Sequence, residues 1–154
     1  MWTAYTLLLG VAAVVLALDQ ATKQIALAAL KNGPVDVIPG VLTFRLTFNS
    51  GGAFGVLQGL PGLFLVTTLA VIVTILLLVR RVSNPRMLVP LGMILGGGIG
   101  NVADRILRPF SGRVVDFVDF HVWPVFNVAD AAIVVGLGLI LLLTRRPRGR
   151  VGDE

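Results

Sequence analysis

Carboxylates and amides recur where apolar stretches of this chain end. The tetrapeptide Asn-Val-Ala-Asp occurs at residues 101–104 and again at 127–130, and Asp116 lies between the two copies. On a helix, the amide and the carboxylate of each copy would share a face, so the amide could orient the carboxylate. Two carboxylates brought together cannot both ionise easily, which yields one acid and one base in a single site. Such a pair can activate water for hydrolysis without a covalent intermediate.

Other catalytic chemistries have little support in this sequence. His121 is the only histidine, so neither a His-based triad nor a multi-histidine metal site can be built. The absence of cysteine excludes disulfides, thiolate chemistry and cysteine-ligated metals. Ser50, Ser83 and Ser111 have no matching histidine, and a Ser–Lys pair with Lys23 has no motif behind it. We therefore expect no metal and no cofactor.

The composition indicates a membrane protein. The 154 residues are 56% hydrophobic and 14% charged, with a mean hydropathy of +0.91, whereas about 25% of residues are charged in soluble domains. A helix needs about 17–25 apolar residues to cross a bilayer. Four apolar runs predict spans at about 2–29, 60–79, 87–104 and 127–144. The predicted fold is an all-α, four-transmembrane-helix bundle, a single domain over residues 1–154.

The basic residues predict the orientation of this bundle. One cluster links spans two and three, and another follows span four; these are Arg80, Arg81 and Arg86, then Arg145, Arg146, Arg148 and Arg150. Both clusters fall on one side of a four-span protein, so the positive-inside rule places both termini in the cytoplasm. The opposite side also carries basic residues, so the bias is moderate. We interpret the basic tail as a topology signal that attracts anionic lipids, not as a nucleic-acid site.

Two segments, at about 31–59 and 105–126, should lie outside the membrane on the far side. Residues 41–48 alternate between apolar and polar side chains, with Leu42, Phe44, Leu46 and Phe48 on one face, and a Gly-containing turn follows. This pattern predicts a strand in a small extramembrane β-sheet. In span three, glycines recur at 92, 96 and 100, which favours close helix packing over a phosphate-binding loop.

Nearly all polar side chains close to the predicted spans fall at the outer rim of the membrane. They are Asp19, Lys23, Asn49, Asn101, Asp104, Arg105, Asn127 and Asp130. Asp19 and Lys23 are four residues apart with the acid first, a favourable helix ion pair, and direct ligand contact is an equally open alternative. We expect Asp104 to pair with Arg105 or to cap the helix. Asp119 and His121 are interpreted as surface groups.

Five motifs occur in order along the chain. They are Asp-Gln-Ala-Thr-Lys at 19–23, Phe-Asn-Ser-Gly-Gly-Ala-Phe-Gly at 48–55, Gly-Asn-Val-Ala-Asp-Arg at 100–105, Val-Val-Asp-Phe at 114–117 and Phe-Asn-Val-Ala-Asp-Ala-Ala-Ile at 126–133. Together these segments resemble the lipoprotein signal peptidases, the bacterial type II signal peptidases. Each segment alone is a weak signal, but their order and the spans between them make the match specific. It extends over essentially the whole chain.

This resemblance implies an aspartic endopeptidase of the bacterial cytoplasmic membrane with its active site near the outer face. It implies cleavage of prolipoproteins just before a cysteine that carries diacylglycerol, with membrane lipids around a monomeric enzyme. Asp116 and Asp130 correspond to the catalytic dyad of the family. Asn49, Asn101, Arg105 and Asn127 would bind substrate or orient the dyad, and Asp19, Lys23 and Asp104 would have structural or supporting roles.

Two departures from the family pattern are small. The family usually has Asn-Thr-Gly-Ala-Ala-Phe where this chain has Asn-Ser-Gly-Gly-Ala-Phe at 49–54, and a serine often follows the second aspartate, where this chain has Ala131. Both leave the dyad assignment intact. Carboxylates in membrane helices also serve proton- or ion-coupled transporters, although transporters usually place them near the midplane. A non-catalytic membrane scaffold is a third reading, but it would not need paired acids.

Overall fold

The computed structural model describes residues 2–51 and 61–145. These residues contain four α-helices and three strands, in the order α1 (Trp2–Ala29), β1 (Val35–Ile38), β2 (Leu42–Asn49), α2 (Pro61–Leu78), α3 (Leu88–Leu107), β3 (Val114–Asp119) and α4 (Val128–Thr144). Two short 3-10 turns join α2 to α3. The predicted fold class, a helical membrane bundle with a small sheet, is confirmed. The motif residues 52–55 and the basic tail residues 146, 148 and 150 lie outside the described part.

Three of the helices are long and apolar enough to cross a membrane. These stretches are Ala4–Ala29, Gly62–Arg81 and Pro85–Leu107. The fourth apolar helix, Val128–Thr144, has 17 residues and falls at the short end of the range that spans a bilayer. Large apolar side chains are exposed along α1, α2 and α4, among them Val14, Val66 and Leu77. Such a surface suits contact with lipid.

Helix α3 lies at the centre of the bundle because glycines let its neighbours approach closely. A Cβ atom at Gly96 would lie 2.5 Å from the carbonyl oxygen of Ala12 on α1. A Cβ atom at Gly97 would lie 2.5 Å from the carbonyl oxygen of Ala129 on α4. Any larger residue would push the helices apart, so the packing interpretation of the glycines is confirmed.

The three strands form one antiparallel sheet in the order β1-β2-β3. The strand predicted at 41–48 is confirmed as β2, one residue later. Its predicted alternation is only partly right, since Thr43 is buried and Phe48 is exposed. The pairing of β2 with β3 is irregular between Phe44 and Thr47, and such an irregularity changes which side chains face inward.

Helix α3 ends later than predicted. The sequence placed Arg105 at the start of an external segment, but the helix continues to Leu107, and Arg108 has extended backbone angles. Arg105 is therefore held on the last turn of α3. The interpretation of Asp119 as a surface group is wrong: its side chain is buried at the end of β3 because it pairs with Arg45 of β2. His121 does lie at the surface.

Candidate active site

The two candidate acids come from different kinds of element. Asp116 is in the middle of β3, where it pairs with Thr47 of β2. Asp130 is in the first turn of α4. The sheet and the start of α4 therefore meet at one end of the bundle. This arrangement brings together two residues that the sequence separates by a turn and a proline.

Asp116 is held by two amide groups. Asn127 donates from Nδ2 to Oδ1 of Asp116 at 2.7 Å, and Asn49 donates from Nδ2 to Oδ2 at 2.9 Å. The carboxylate is almost fully buried. Burial, and next the nearby charge of Asp130, raise the pKa of Asp116 to about 7, although both amides oppose the rise. Asp116 can therefore hold or release a proton near neutral pH.

Asp130 is held by a third amide and by its own helix start. Asn101 donates from Nδ2 to Oδ1 of Asp130 at 2.8 Å. Asn127 is the N-cap of α4, and its Oδ1 accepts a hydrogen bond from the backbone of Asp130 at 2.9 Å. In return, the backbone N–H of Asn127 donates to Oδ2 of Asp130. This reciprocal capping box fixes the rotamer of Asp130.

Asn127 connects the two acids directly. Its Nδ2 donates to Asp116, and its Oδ1 caps the backbone at Asp130. The same Nδ2 also reaches Oδ1 of Asn101 at 3.2 Å. The buried side chain of Asn127 thus binds the carboxylate of Asp116 and the backbone of Asp130. The shared-face argument from the sequence is wrong for both copies. Asn127 precedes α4 in an extended conformation and joins Asp130 through the capping box, and Asn101 donates to Asp130 rather than to Asp104 of its own tetrapeptide.

Asp19, Lys23 and Asp104 form a buried ionic network behind the two acids. Nζ of Lys23 lies 2.9 Å from Asp19 and 2.9 Å from Asp104, and all three side chains are fully buried. The expected Asp19–Lys23 ion pair is confirmed. The expected pairing of Asp104 with Arg105 is wrong, because Asp104 instead binds Lys23 and, at 2.8 Å, Arg108.

Sequence reasoning missed two members of this network, Gln20 and Arg108. Gln20 donates to Oδ1 of Asp104 at 3.0 Å and accepts from Arg108 at 3.1 Å. A signal for Arg108 was present, since Asp104 and Arg108 are four residues apart with the acid first, which is the favourable order on a helix. Gln20 lies inside the motif at 19–23, but nothing in the sequence indicates its partner.

Arg105 faces the two acids without forming an ion pair with either. Its positive charge is attracted most by Asp130, then by Asp116 and Asp104. One guanidinium nitrogen donates to the carbonyl of Asn101 at 3.3 Å. Its Nε is buried and has no hydrogen-bond partner in the described residues. A buried donor without a partner is costly, so this nitrogen is available to a ligand carbonyl.

An apolar groove of about 330 Å³ opens beside Asp130. Its walls come from the loop after β3 and from the outward face of α4, and they are Phe120, Trp123, Phe126, Ala131, Val134 and Val135. Ala131, one of the two departures from the family pattern, therefore lines the groove next to the acid. Among the described residues, no cluster of acidic or histidine side chains could hold a metal ion.

Comparison with solved structures shows which class of protein has this fold. Two bacterial membrane enzymes, solved by the in meso method at 2.3 and 1.9 Å, superpose on the chain with TM-scores of 0.80 and 0.78. Their sequences are 28% and 29% identical to it. The first alignment covers 100% of this chain and 95% of the other, and the second covers 96% of each. The fold is that of a multi-pass membrane enzyme.

Sequence comparison defines the family within that class. The model of the family described as Signal peptidase (SPase) II matches residues 11–145. The lipoprotein signal peptidase of Mycobacterium avium (strain 104) is 45% identical, and that of Rhodococcus jostii (strain RHA1) is 40% identical. Each alignment covers 90% of this chain and 78% or 72% of the relative, respectively. The chain belongs to the signal peptidase II family and is a membrane peptidase. The resemblance inferred from the five segments is confirmed.

Proposed function

We propose that this chain removes the signal peptide from lipoprotein precursors by hydrolysis between the carboxylates of Asp116 and Asp130. The observation that carries the proposal is that Asn127 donates to both carboxylates, from Nδ2 to Asp116 and from its backbone N–H to Asp130. Coupled carboxylates share a proton, and the raised pKa of Asp116 is what such sharing requires. The family relatives add the substrate class, since they are named lipoprotein signal peptidases.

The reaction needs one ionised and one protonated acid. The ionised carboxylate takes a proton from water while the water oxygen attacks the scissile carbonyl carbon. The protonated acid donates a hydrogen bond to the carbonyl oxygen and stabilises the developing charge. The proton taken from water then passes to the leaving amine as the C–N bond breaks. The products are a free carboxyl terminus on the signal peptide and a free amino terminus on the lipoprotein.

The surrounding residues would position the substrate. Asn49, Asn101 and Asn127 orient the two acids through their amide groups, and the Nε of Arg105, which has no partner among the described residues, can donate to a peptide carbonyl. The apolar groove beside Asp130 suits a chain of small apolar residues or an acyl chain. We propose that cleavage falls just before a cysteine that carries diacylglycerol, because a lipid anchor would hold this bond at the depth of the acids.

The proposal includes a membrane arrangement. Arg80, Arg81 and Arg86 lie at the end of the bundle away from the sheet, at the link between α2 and α3. The positive-inside rule then places this link and both termini in the cytoplasm, and the site at the outer face of the bacterial inner membrane. One chain carries all of the residues named here, so a monomer is sufficient.

Cleavage of a defined precursor tests this function. The purified enzyme in detergent would be given a precursor with a diacylglyceryl cysteine and the same precursor without lipid, and the products would be sequenced by mass spectrometry. We expect cleavage just before the modified cysteine and little cleavage of the unmodified peptide. Equal rates on the two precursors would contradict the proposed substrate. A pH-driven ion flux in vesicles, without any peptide product, would contradict the hydrolase itself.

A further inference from the structure

Lys23 uses every hydrogen of its ammonium group inside the protein. Its Nζ lies 2.9 Å from Oδ2 of Asp19, 2.9 Å from Oδ2 of Asp104 and 3.1 Å from Oδ1 of Asn101. An ammonium has three donors and no acceptor, so these three oxygens saturate it. The side chain is fully buried. A fully buried lysine is rare and needs charge partners. The position of Lys23 therefore constrains the positions of the three side chains that bind it.

The two carboxylates that bind Lys23 also hold the backbone next to the candidate acids. Oδ1 of Asp19 accepts the N–H of Ala129 at 3.0 Å, and Ala129 immediately precedes Asp130. Gly100 leaves the space for this carboxylate, since a Cβ atom there would lie 2.5 Å from Oδ2 of Asp19. The position of Lys23 therefore fixes the start of α4.

Asp104 does the same for the other acid. Its Oδ2 accepts the N–H of Val115 at 3.0 Å, and Val115 immediately precedes Asp116 on β3. One ammonium group thus connects the two backbone segments that carry the candidate acids. A shift of Lys23 would change the separation of Asp116 from Asp130.

The third contact of Lys23 sets the direction of an amide. Because Oδ1 of Asn101 faces the ammonium, its Nδ2 must face Asp130. The reverse orientation would place an N–H donor against an ammonium, which has no acceptor. The same Oδ1 accepts from Asn127, and this bond points the Nδ2 of Asn127 toward Asp116 as well.

We infer that Lys23 is a positioning residue for hydrolysis, which acts through Asp19, Asp104 and Asn101 to set the spacing and protonation of the Asp116–Asp130 pair. This inference rests on the proposed function of the two acids. It assigns to Lys23 more than a structural ion pair, because a structural ion pair would affect folding alone. Here the same side chain controls the hydrogen bonds that both acids accept.

The pH dependence of cleavage separates these two roles. The groups that face the acids are Asp19 and Lys23 from α1, Asn49 from β2, Asn101 and Arg105 from α3, and Asn127 at the start of α4. Removing Lys23 takes away one of the two positive charges among them and leaves the orientation of Asn101 unfixed. Both changes disfavour the ionised forms of the acids. The pH–rate profile should therefore move to higher pH.

The test uses a charge-balanced variant, since Lys23→Met alone leaves two buried carboxylates with only Arg108. In Asp19→Asn/Lys23→Met, one charge of each sign is removed, and an asparagine oxygen at 19 can still accept the N–H of Ala129. The matched control is Lys31→Met, which removes an exposed lysine beyond the end of α1. Melting temperature, kcat, KM and the pH–rate profile would be measured for each with the lipidated precursor.

We expect the double variant to fold and to lose at least about tenfold in kcat, equivalent to about 1.4 kcal/mol, with little change in KM. Because loss of the Asp19 charge offsets loss of the Lys23 charge at Asp130, the profile should move to higher pH through the freed orientation of Asn101. Lys31→Met should behave as the wild type. A folded double variant with wild-type kcat and pH profile would overturn the inference. Loss of folding in the double variant would also overturn it, by showing a structural role. Asp116→Asn in the same assay keeps the two hypotheses apart, because its activity tests the acids independently of Lys23.

Discussion

Asn127 performs two tasks that one substitution can separate. Its Oδ1 caps α4, and its Nδ2 orients Asp116. Serine is as good an N-cap as asparagine but has no amide N–H. Asn127→Ser should therefore keep the helix start and lose the donor to Asp116. Asn127→Ala should lose both.

The magnitudes follow from these contacts. Loss of the cap costs about 1 kcal/mol, so Asn127→Ala should be less stable than Asn127→Ser by about that amount. A hydrogen bond to a charged group contributes about 1.5–3 kcal/mol, so both variants should lose about ten- to hundredfold in kcat. The lost donor favoured the ionised form of Asp116, so its pKa should rise further and the acid limb of the pH–rate profile should move to higher pH.

Thermal unfolding in detergent and cleavage of the lipidated precursor would measure both effects. Asn84→Ser is the matched control, because Asn84 caps the 3-10 turn at the opposite end of the bundle. It should keep wild-type activity. If Asn127→Ser cleaves at the wild-type rate with an unchanged pH profile, the amide does not orient Asp116 and the reasoning fails.

Two further predictions concern stability. Gly96→Ala would push its Cβ against Ala12 and should lower the melting temperature. Gly138→Ala is the control, because its Cβ meets no atom within 4 Å, and it should leave the melting temperature unchanged or raise it. Equal effects of the two substitutions would contradict the packing of α3 on α1. Arg45 lowers the pKa of Asp119, so this pair stabilises the protein above the unfolded-state value of about 4 and the contribution is lost as pH falls through the lower folded-state pKa. Because Arg45 is 47% exposed, solvent screening limits this to at most about 1 kcal/mol. Arg45→Met should flatten the acid side of a melting-temperature curve, and an unaltered curve would show that the pair contributes nothing.

The sequence predicted the helices and the strand that a pattern of neighbouring residues indicates. The apolar runs gave the helices to within a few residues, because length and hydropathy decide a membrane span. The alternation at 41–48 gave β2. By contrast, β3 was missed as a strand, since its residues are nearly all buried and therefore do not alternate. The four residues of β1 are all exposed and form a strand only because β2 lies beside them.

The residues of the site also divide into those that a local sequence pattern predicts and those that it does not. The two Asn-x-x-Asp copies contain two amides that bind the candidate acids, but only one of those acids, Asp130, since Asp116 lies between the copies. The capping box at Asn127 and Asp130 is a local feature. One partner of Asp104, Arg108, was indicated by local spacing, but the other, Lys23, is on another helix and could not be found locally. Only the close packing of α1 on α3 through glycine brings Lys23 to Asp104. Long-range ion pairs of this kind depend on tertiary contacts that no single segment encodes.

The central claim is that the carboxylates of Asp116 and Asp130 carry out the hydrolysis. Single-turnover cleavage of the lipidated precursor by Asp116→Asn and Asp130→Asn tests it most directly, with Asp119→Asn as a control on the same strand as Asp116. Each dyad variant should bind the precursor and cleave it at least about a hundredfold more slowly, while the control keeps its rate. Near-normal cleavage by either dyad variant would contradict the claim.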